Sequence, residues 1–325
     1  MSETAAASGA PRAGHARRAT PREVRDAVVV RFAGDSGDGM QVTGTRFSIA
    51  TALAGSDLAT FPDYPAEIRA PAGTTFGVSA FQIRFGSGDV KTAGDEVDVL
   101  VAMNPAALKV NVDSLRIGGT VFVDTSAFTS RNLARAGYDG SPLEGETLAR
   151  FQVVPLDIGR LTLDAVAGFD LSQKDALRCR NMWALGLMLW MFDRDKQSTV
   201  EWLEKKFGGR GSIADANVAA LNAGHAFGET VEMPEHVTGY TISNAAHLEP
   251  GIYRTANGTE SLAWGLVSGL QSTGLDRLVF GSYPITPASP LLHQLANMRE
   301  LGVITFQAED EIAAVCSAIG ASYAG

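Results

Sequence analysis

The segment "AVVVRFAGDSGDGM", from Ala27 to Met40, is the most informative part of this sequence for the fold. Its run of apolar, mostly β-branched residues predicts a buried strand, and the glycines then lead into a helix that we expect from Met40 to about Ala54. A strand, a Gly-rich loop and a helix in this order are typical of Rossmann-like α/β domains. Four further segments continue the pattern: residues 74–87 are interpreted as a strand or a hairpin, and residues 97–105, 118–126 and 151–157 as strands.

Three helices are predicted after these strands. The first is one long helix that starts at a Ser172 cap, and the three cover residues 172–192, 199–209 and 213–230. We therefore predict a single α/β domain over residues 23–230, preceded by a disordered tail over residues 1–22. Residues 231–253 are polar and broken by Pro and Gly, which indicates an interdomain linker.

A second α/β unit is predicted over residues 254–325. It consists of a helix, a strand from about Leu275, a Pro-rich loop, a helix, the "VITFQ" strand and a closing helix. About 70 residues with two strands are too few to complete a sheet, and the sequence stops inside the closing helix. We therefore expect this unit to be the N-terminal part of a domain in a longer chain.

The composition narrows the class of protein. A net charge of −9 argues against nucleic-acid binding, because binding to phosphates requires clusters of Lys and Arg. Cys179 and Cys316 are the two cysteines, too few for a disulfide framework or for the four thiolates of an iron–sulfur cluster. The five His residues are scattered, so we predict no metal site. The longest apolar run, residues 182–192, is too short to cross a membrane, and we expect a cytoplasmic protein.

Two loops of the first domain are candidate ligand or interface sites. In "GDSGDG", Gly34, Gly37 and Gly39 allow a ligand to approach the backbone, but the spacing also suits a tight turn or an interface loop. Classical NAD binding is disfavoured, because the acidic residues of this loop repel phosphates. In "DYPAEIR", Tyr64, Glu67 and Arg69 could face a ligand or a neighbouring subunit, or form a local ion pair on the surface.

The loop "YPITPASP", Tyr283 to Pro290, is a candidate substrate site. Pro284 and Pro287 flank Thr286 and remove two backbone donors, so the loop cannot become helix or sheet. A fixed hydroxyl at the carboxyl end of a strand suits a carboxylate or carbonyl substrate. An ordinary Pro-rich turn between a strand and a helix is the alternative.

Three acids, Glu309, Asp310 and Glu311, are predicted at the start of the last helix. Acids in a first helical turn commonly complement the helix dipole. One of them could instead exchange a proton with a ring nitrogen, since the small residues that follow, such as Ala314 and Ser317, let a helix or a cofactor come close.

Together these segments resemble the 2-oxoacid:ferredoxin oxidoreductase family. "YPITPAS" is similar to the family's Y-P-I-T-P-S-S loop, and Glu311-Ile-Ala-Ala to its E-x-x-A-A-type helix. "NGTESLAWGLVSG" resembles the helix that opens the family's α domain. "RFAGDSGDGMQVTG" and "DYPAEIRAPAG" resemble segments of its γ domain, and "CRNMWALGLMLWMF" is similar to a K-N-x-x-A-L-G helix of the α subunit in members that act on 2-oxoglutarate. A γ domain fused ahead of an α domain is the arrangement of the α subunit in members that act on 2-oxoglutarate.

The resemblance implies a fold and a site. The fold is a Rossmann-like γ domain followed by the start of a pyrimidine-type α/β domain of thiamine diphosphate enzymes. Thr286, Tyr283 and Ser289 are implied to bind the 2-oxoacid. Glu311 is implied to be the catalytic acid, and Glu309 is the second candidate for this role. In the family, the catalytic Glu hydrogen-bonds the pyrimidine N1′ of thiamine diphosphate and promotes the imino tautomer that generates the ylid.

The resemblance also implies the reaction and its partners. A 2-oxoacid, in the first place 2-oxoglutarate, is oxidatively decarboxylated with coenzyme A to an acyl-CoA such as succinyl-CoA, and ferredoxin is reduced. Thiamine diphosphate with Mg²⁺ and a [4Fe-4S] cluster belong mainly to a β subunit, in an α2β2 heterotetramer. Pyruvate, branched-chain or aryl 2-oxoacids are alternative substrates, and a non-catalytic Rossmann-type nucleotide-binding or assembly module is the alternative class.

The sequence departs from the family pattern in the γ domain. Ser36 and Asp38 replace Gly and Gln, and Ala70-Pro71 replaces Gly-Gly. These replacements leave the ligand of the Gly-rich loop open. The family's substrate-binding Arg is expected beyond Gly325.

Overall fold

The computed structural model describes residues 22–64, 77–209, 211–230, 233–234, 237–243, 251, 254, 256–286 and 288–325. The chain divides into two compact units, residues 1–249 and 250–325, which we call the first and second units. Both are built from helices and mainly parallel strands, so the predicted α/β class is confirmed. Of the helices in these ranges, none combines the length and apolar character that a membrane crossing requires.

The first unit begins with strands interspersed with helices and continues with five consecutive helices, α4 to α8, before its last strand. Its strands are β1 (Arg22–Arg25), β2 (Ala27–Asp35), β3 (Asp57–Asp63), β4 (Val78–Gly86), β5 (Val97–Ala102), β6 (Leu115–Asp124), β7 (Gln152–Leu156) and β8 (Gly239–Ile242). Its helices are α1 (Met40–Leu53), α2 (Pro105–Asn111), α3 (Ser130–Arg135), α4 (Ile158–Val166), α5 (Gln173–Leu177), α6 (Arg180–Met191), α7 (Gln197–Phe207) and α8 (Ser212–Gly228).

Six of these strands form one sheet in the order β3-β4-β2-β5-β6-β7. Strands β2, β5, β6 and β7 are parallel, while β4 is antiparallel to both β2 and β3. The carboxyl ends of the four parallel strands therefore lie at one edge of the sheet. The Gly-rich loop, residues 34–39, leaves the sheet at this edge.

Helices cover both faces of this sheet. Val30 and Phe32 of β2 point to one face, where they belong to the same core as Phe47 of α1 and Trp183 of α6. The alternate residues, among them Ala33, face a second core that includes α2. A strand buried on both faces is expected to be a continuous apolar run, which is why β2 could be read from the sequence.

Helices α6 and α8 pack unusually close together. A Cβ at Gly224 of α8 would overlap with the backbone carbonyl oxygen of Trp183 on α6, and one at Gly186 would overlap with that of Leu221. Glycine is therefore required on both sides of this contact, because a backbone carbonyl cannot move aside as a flexible side chain can.

Gly224→Ala is expected to destabilise the first unit by about 1–3 kcal/mol, the usual cost of overpacking a core. Thermal or urea unfolding followed by circular dichroism measures the effect. Asn222→Ala is the matched control, since Asn222 is exposed on the same helix. It should change the free energy of unfolding by less than about 0.5 kcal/mol. Equal stability of the two variants would contradict the close contact.

Three predictions about the first unit are wrong in detail. The helix predicted over residues 172–192 is two helices, α5 and α6, interrupted at residues 178–179. Asp63, the first residue of the predicted loop "DYPAEIR", belongs instead to β3, and Pro62 is tolerated in β3 because it is an edge strand. The strand predicted over residues 97–105 ends at Ala102, and Asn104-Pro105 starts α2, where the Asn104 side chain accepts a hydrogen bond from the Ala107 amide (2.8 Å).

The predicted linker and tail also contain structure. β8 lies within residues 231–253 and pairs in parallel with β1, which starts at Arg22, the last residue of the predicted tail. The Tyr240 ring stacks on Phe192 with centroids 5.4 Å apart. Arg22 donates hydrogen bonds to the carbonyls of Trp190 (2.9 Å) and Tyr240 (3.2 Å). Four-residue strands held by distant partners leave no periodic signal in the sequence.

The second unit is a small α/β arrangement. Its elements are α9 (Gly258–Thr273), β9 (Leu278–Ser282), α10 (Ser289–Ala296), β10 (Val303–Gln307) and α11 (Glu311–Ala324). Strands β9 and β10 are parallel, and α9 and α10 pack on one face of them around Ala263, Val267 and Leu295. Asn257 and Glu260 form a capping box that fixes the start of α9.

Candidate active site

The two loops that carry the predicted site of the second unit leave neighbouring strands at the same edge. Ser282 ends β9 opposite Gln307, which ends β10. The amide of Ala308 donates a hydrogen bond to the carbonyl of Ser282 (2.7 Å), so the two segments that follow β9 and β10 are still paired where they leave the sheet. The Pro loop (residues 283–288) and the start of α11 are thereby placed side by side.

Thr286 lies exposed at the tip of the Pro loop. Ser289 closes the loop behind it, since its hydroxyl accepts a hydrogen bond from the Ile285 amide (3.0 Å) and donates one to the Ile285 carbonyl (2.9 Å). The structure thus gives Ser289 a role in holding the loop. Pro287, which the sequence predicts as the second rigid flank of Thr286, lies outside the described residues.

The acidic segment is divided by the start of α11. Asp310 caps the helix, accepting a hydrogen bond from the Ala313 amide (2.8 Å), and Glu311 is the first helical residue. Glu309 precedes the helix and is exposed, whereas the sequence predicts all three acids within its first turn. Glu311 therefore belongs to the helix, whereas Glu309 lies in the segment before it.

Tyr283 and Glu311 meet directly. The Tyr283 hydroxyl donates a hydrogen bond of 2.6 Å to Oε1 of Glu311. This bond lowers the pKa of Glu311 below its ordinary value and raises the pKa of Tyr283. Two of the residues predicted for the site are thus in contact, and Thr286 lies three residues from Tyr283 on the same loop.

The small residues of α11 pack on the unit's own sheet. A Cβ at Gly281 of β9 would lie 2.7 Å from both the Ala314 carbonyl oxygen and the Ser317 hydroxyl. The close neighbour expected from this small-residue face is therefore strand β9. The outward face of α11 carries large apolar side chains that are at least half exposed: Ile312 (72%), Val315 (55%), Ile319 (52%) and Tyr323 (90%).

The Gly-rich loop of the first unit has the conformation that its glycines allow. Gly37 and Gly39 have φ angles of 113° and 79°, which favour glycine. At Gly39 a side chain would also collide with Asn181 of α6. Gly34, near the end of β2, is also tightly packed, since a Cβ there would lie 3.0 Å from Oδ2 of Asp38.

The acids of this loop are paired. Asp38 accepts a hydrogen bond from the Asp35 amide (2.9 Å) and lies 3.6 Å from the Arg180 guanidinium. Arg180 also donates to Asp124 at the end of β6 (3.2 Å), a fully buried carboxylate. Burial raises the pKa of Asp124, and burial together with Asp38 raises that of Asp35. Repulsion of anions by this loop is therefore weaker than the sequence suggests.

A cavity of about 260 Å³ opens beside the Gly-rich loop. Its lining includes three cations, Lys174, Arg178 and Arg180, one acid, Asp38, and Asn181. A second cavity of about 230 Å³ shares Arg178 and Asn181 with the first and is lined mainly by apolar groups, including Trp202. Sequence reasoning missed these cations, although the four-residue spacing of Lys174 and Arg178 would place them on one side of a helix.

The structure gives little information on the remaining predicted site residues, Tyr64, Glu67 and Arg69. Tyr64 is exposed and follows Asp63, which forms an ion pair with Arg31 of β2. Glu67 and Arg69 lie outside the described residues. Within the described ranges, no group of three or more His, Cys, Asp or Glu side chains is placed to hold a metal ion.

Two family models match this chain. The model "Pyruvate ferredoxin/flavodoxin oxidoreductase" matches residues 29–227. The chain belongs to this family. The model "Pyruvate flavodoxin/ferredoxin oxidoreductase, thiamine diP-bdg", a thiamine diphosphate-binding domain, matches residues 274–325, which include the Pro loop and Glu311.

Members of the family with curated names are similar over long stretches. The chain is 51% identical over 307 residues to 2-oxoglutarate oxidoreductase subunit KorA of Mycobacterium tuberculosis, covering 94% of this chain and 46% of that protein. It is 28% identical over 187 residues to 2-oxoacid:ferredoxin oxidoreductase 1, subunit alpha, of Aeropyrum pernix, covering 54% and 27%. The chain thus spans less than half the length of these relatives.

A solved structure of the family matches both units. It is 2-oxoglutarate:ferredoxin oxidoreductase from Magnetococcus marinus with 2-oxoglutarate, coenzyme A and succinyl-CoA bound. The TM-score is 0.67 at 27% identity, over 93% of this chain and 46% of that chain. This similarity and the family models confirm the resemblance inferred from the motifs.

Proposed function

We propose that this chain is the γ domain and the N-terminal part of the α domain of a coenzyme A-dependent 2-oxoacid:ferredoxin oxidoreductase. The reaction is the oxidative decarboxylation of a 2-oxoacid to an acyl-CoA and carbon dioxide, with two electrons passing to ferredoxin. The observation that carries the proposal is the meeting of the Pro loop and Glu311 inside the segment that matches a thiamine diphosphate-binding model. The 51% identity to a 2-oxoglutarate oxidoreductase subunit favours 2-oxoglutarate as the substrate.

Glu311 is suited to contact the pyrimidine ring of thiamine diphosphate. Its carboxyl group is exposed at the first residue of α11, and a carboxylate has about four acceptor positions, so the bond from Tyr283 leaves room for a second donor. Thiamine diphosphate, when bound there, would supply the nucleophilic chemistry of the decarboxylation. Glu311 holds and exchanges the proton at the ring N1′.

Thr286 is proposed to bind the substrate. Its hydroxyl is exposed, and the Ser289–Ile285 hydrogen bonds fix the loop on which it stands. A preorganised hydroxyl can donate a hydrogen bond to the carboxylate or carbonyl oxygen of a 2-oxoacid without reordering the loop. Ser289 then contributes by holding this geometry.

The first unit is proposed to bind coenzyme A. Phosphate groups require cations, and Lys174, Arg178 and Arg180 line the cavity beside the Gly-rich loop. The adjoining apolar cavity offers Trp202 as a surface for a ring or an aliphatic chain. Binding of coenzyme A in the related Magnetococcus marinus structure supports this ligand.

The proposal includes partners. Mg²⁺ and a [4Fe-4S] cluster are assigned to a β subunit in an α2β2 assembly, with ferredoxin as the electron acceptor. The named relatives are subunits of oxidoreductases, which supports a partner subunit. The cytoplasm is the proposed compartment.

A double variant tests the coenzyme A site. The double variant Lys174→Met/Arg178→Met is expected to raise the KM for coenzyme A roughly tenfold. Each exposed charge that is removed is expected to cost about 1 kcal/mol or less of binding free energy. The KM for the 2-oxoacid should not change. Lys205→Met on α7 is the control, since Lys205 is an exposed cation that lines neither cavity. An unchanged KM for coenzyme A in the double variant would place its phosphates elsewhere.

A substrate panel tests the proposed function as a whole. The purified native complex is assayed with 2-oxoglutarate, pyruvate, branched-chain and aryl 2-oxoacids, with coenzyme A and ferredoxin, and its thiamine and iron contents are measured. We expect the highest kcat/KM for 2-oxoglutarate. A preference for another 2-oxoacid corrects the substrate and keeps the reaction. A complex with neither thiamine nor iron supports the non-catalytic nucleotide-binding or assembly module instead.

A further inference from the structure

The hydrogen bond between Tyr283 and Glu311 joins the Pro loop to the start of α11. The residues are 28 positions apart: Tyr283 lies in the loop after β9, and Glu311 is the first residue of α11, the helix that follows β10. Both side chains lie at the surface of the second unit, where a loosely held carboxylate would sample many orientations. A bond of 2.6 Å to a charged acceptor restricts that freedom.

The backbone on both sides of this bond is fixed. Tyr283 follows Ser282, whose carbonyl accepts a hydrogen bond from the Ala308 amide (2.7 Å). Glu311 follows Asp310, which caps α11. Paired strands and a helix cap thus set the separation of the phenol and the carboxyl group. The hydrogen bond therefore joins two side chains whose backbone positions are both fixed by the fold.

We propose that Tyr283 is a positioning residue that acts through Glu311. Its hydroxyl orients the carboxyl group and keeps it ionised, so that the remaining acceptor positions are presented to a protonated ring nitrogen. The inference rests on the proposed function of Glu311. It differs from direct substrate binding, the role that the family resemblance implies for Tyr283.

The charges around Glu311 give the direction of the pH effect. Tyr283 faces it from the Pro loop and lowers its pKa, while Asp310 on its own helix acts in the opposite direction. Glu309 lies just before the helix and is exposed. Without the Tyr283 hydroxyl the pKa of Glu311 rises toward its ordinary value. The carboxyl group then takes up its proton at a higher pH, and the acid limb of the kcat profile moves to higher pH.

Tyr283→Phe in the assembled holoenzyme tests the inference, because it removes the hydroxyl and keeps the ring. We expect kcat to fall about tenfold and the KM for the 2-oxoacid to stay unchanged. The acid limb should move to higher pH. Without substrate, the near-UV circular dichroism band of the imino tautomer of bound thiamine diphosphate should weaken. Tyr138→Phe, which removes a phenol hydroxyl from the first unit, should change none of these quantities.

Comparison with Glu311→Gln separates the inference from the function on which it rests. If Glu311→Gln loses the dichroism band and activity while Tyr283→Phe behaves as wild type, the inference fails and the proposed function stands. If both variants behave as wild type, the proposed function of Glu311 fails. A raised KM for the 2-oxoacid with unchanged kcat and dichroism in Tyr283→Phe also overturns the inference, since it places Tyr283 against the substrate.

Discussion

Glu311→Gln is expected to lower kcat with 2-oxoglutarate by a factor of about 10² to 10⁴, the range that general acid–base groups contribute. Gln has nearly the same size and can still accept and donate hydrogen bonds, but it cannot exchange a proton with the pyrimidine N1′. Glu311 is exposed, so the fold should survive the change. Steady-state turnover in the full complex measures the effect, after thiamine diphosphate occupancy has been confirmed.

Glu309→Gln is the matched control for this variant. Glu309 lies two residues before Glu311 and outside the helix, and the Tyr283 bond goes to Glu311. We therefore expect Glu309→Gln to retain most of its activity. The opposite outcome, an inactive Glu309→Gln and an active Glu311→Gln, would move the catalytic role by two residues and keep the mechanism. Full activity in both variants would remove this helix from the thiamine site.

Thr286→Val is expected to reduce kcat/KM for the 2-oxoacid about 10- to 150-fold. The change removes the hydroxyl at nearly constant shape, and a lost hydrogen bond to a charged group costs ~1.5–3 kcal/mol. Because Thr286 is exposed in this chain, the stability of the second unit should change little. The measurement is a kcat/KM series over several 2-oxoacids, all of which share the carboxylate and carbonyl groups and should be affected alike.

Thr286→Ser is the control that separates the hydroxyl from the methyl group. It keeps the donor and should retain most of the wild-type kcat/KM. Near-normal kinetics in Thr286→Val would show that the Pro loop is an ordinary turn. A loss with only one 2-oxoacid would instead indicate contact with the side chain of that substrate.

Much of the fold could be predicted from local patterns. β2 is a continuous apolar run followed by glycines, and α1 begins at Met40, as predicted. In the second unit the Pro loop and the "VITFQ" strand are found at the predicted positions, with β9 starting three residues later than predicted. These elements are set by burial periodicity and by turn residues, both of which are visible within about ten residues of sequence.

The features that were missed depend on partners distant in sequence. β8 exists because Gly239–Ile242 pairs with β1, more than 200 residues earlier. The break before α6 places Arg180 against Asp124, and the helical pattern on either side gives no sign of it. Likewise, the Pro loop and Glu311 are recognisable as separate motifs, but their hydrogen bond follows from the pairing of β9 with β10.

The Arg180 contacts have a consequence for the way the chain is made. Asp124, the buried carboxylate that Arg180 neutralises, is synthesised 56 residues before it, and Asp38 of the Gly-rich loop earlier still. A nascent chain that has emerged only as far as β7 therefore contains the strands and the loop but lacks their counter-charge. An unpaired carboxylate resists burial. We therefore expect the carboxyl edge of the sheet to close around Asp124 only after translation has passed Arg180, so the surface proposed to bind coenzyme A is completed late even though its loop is made early.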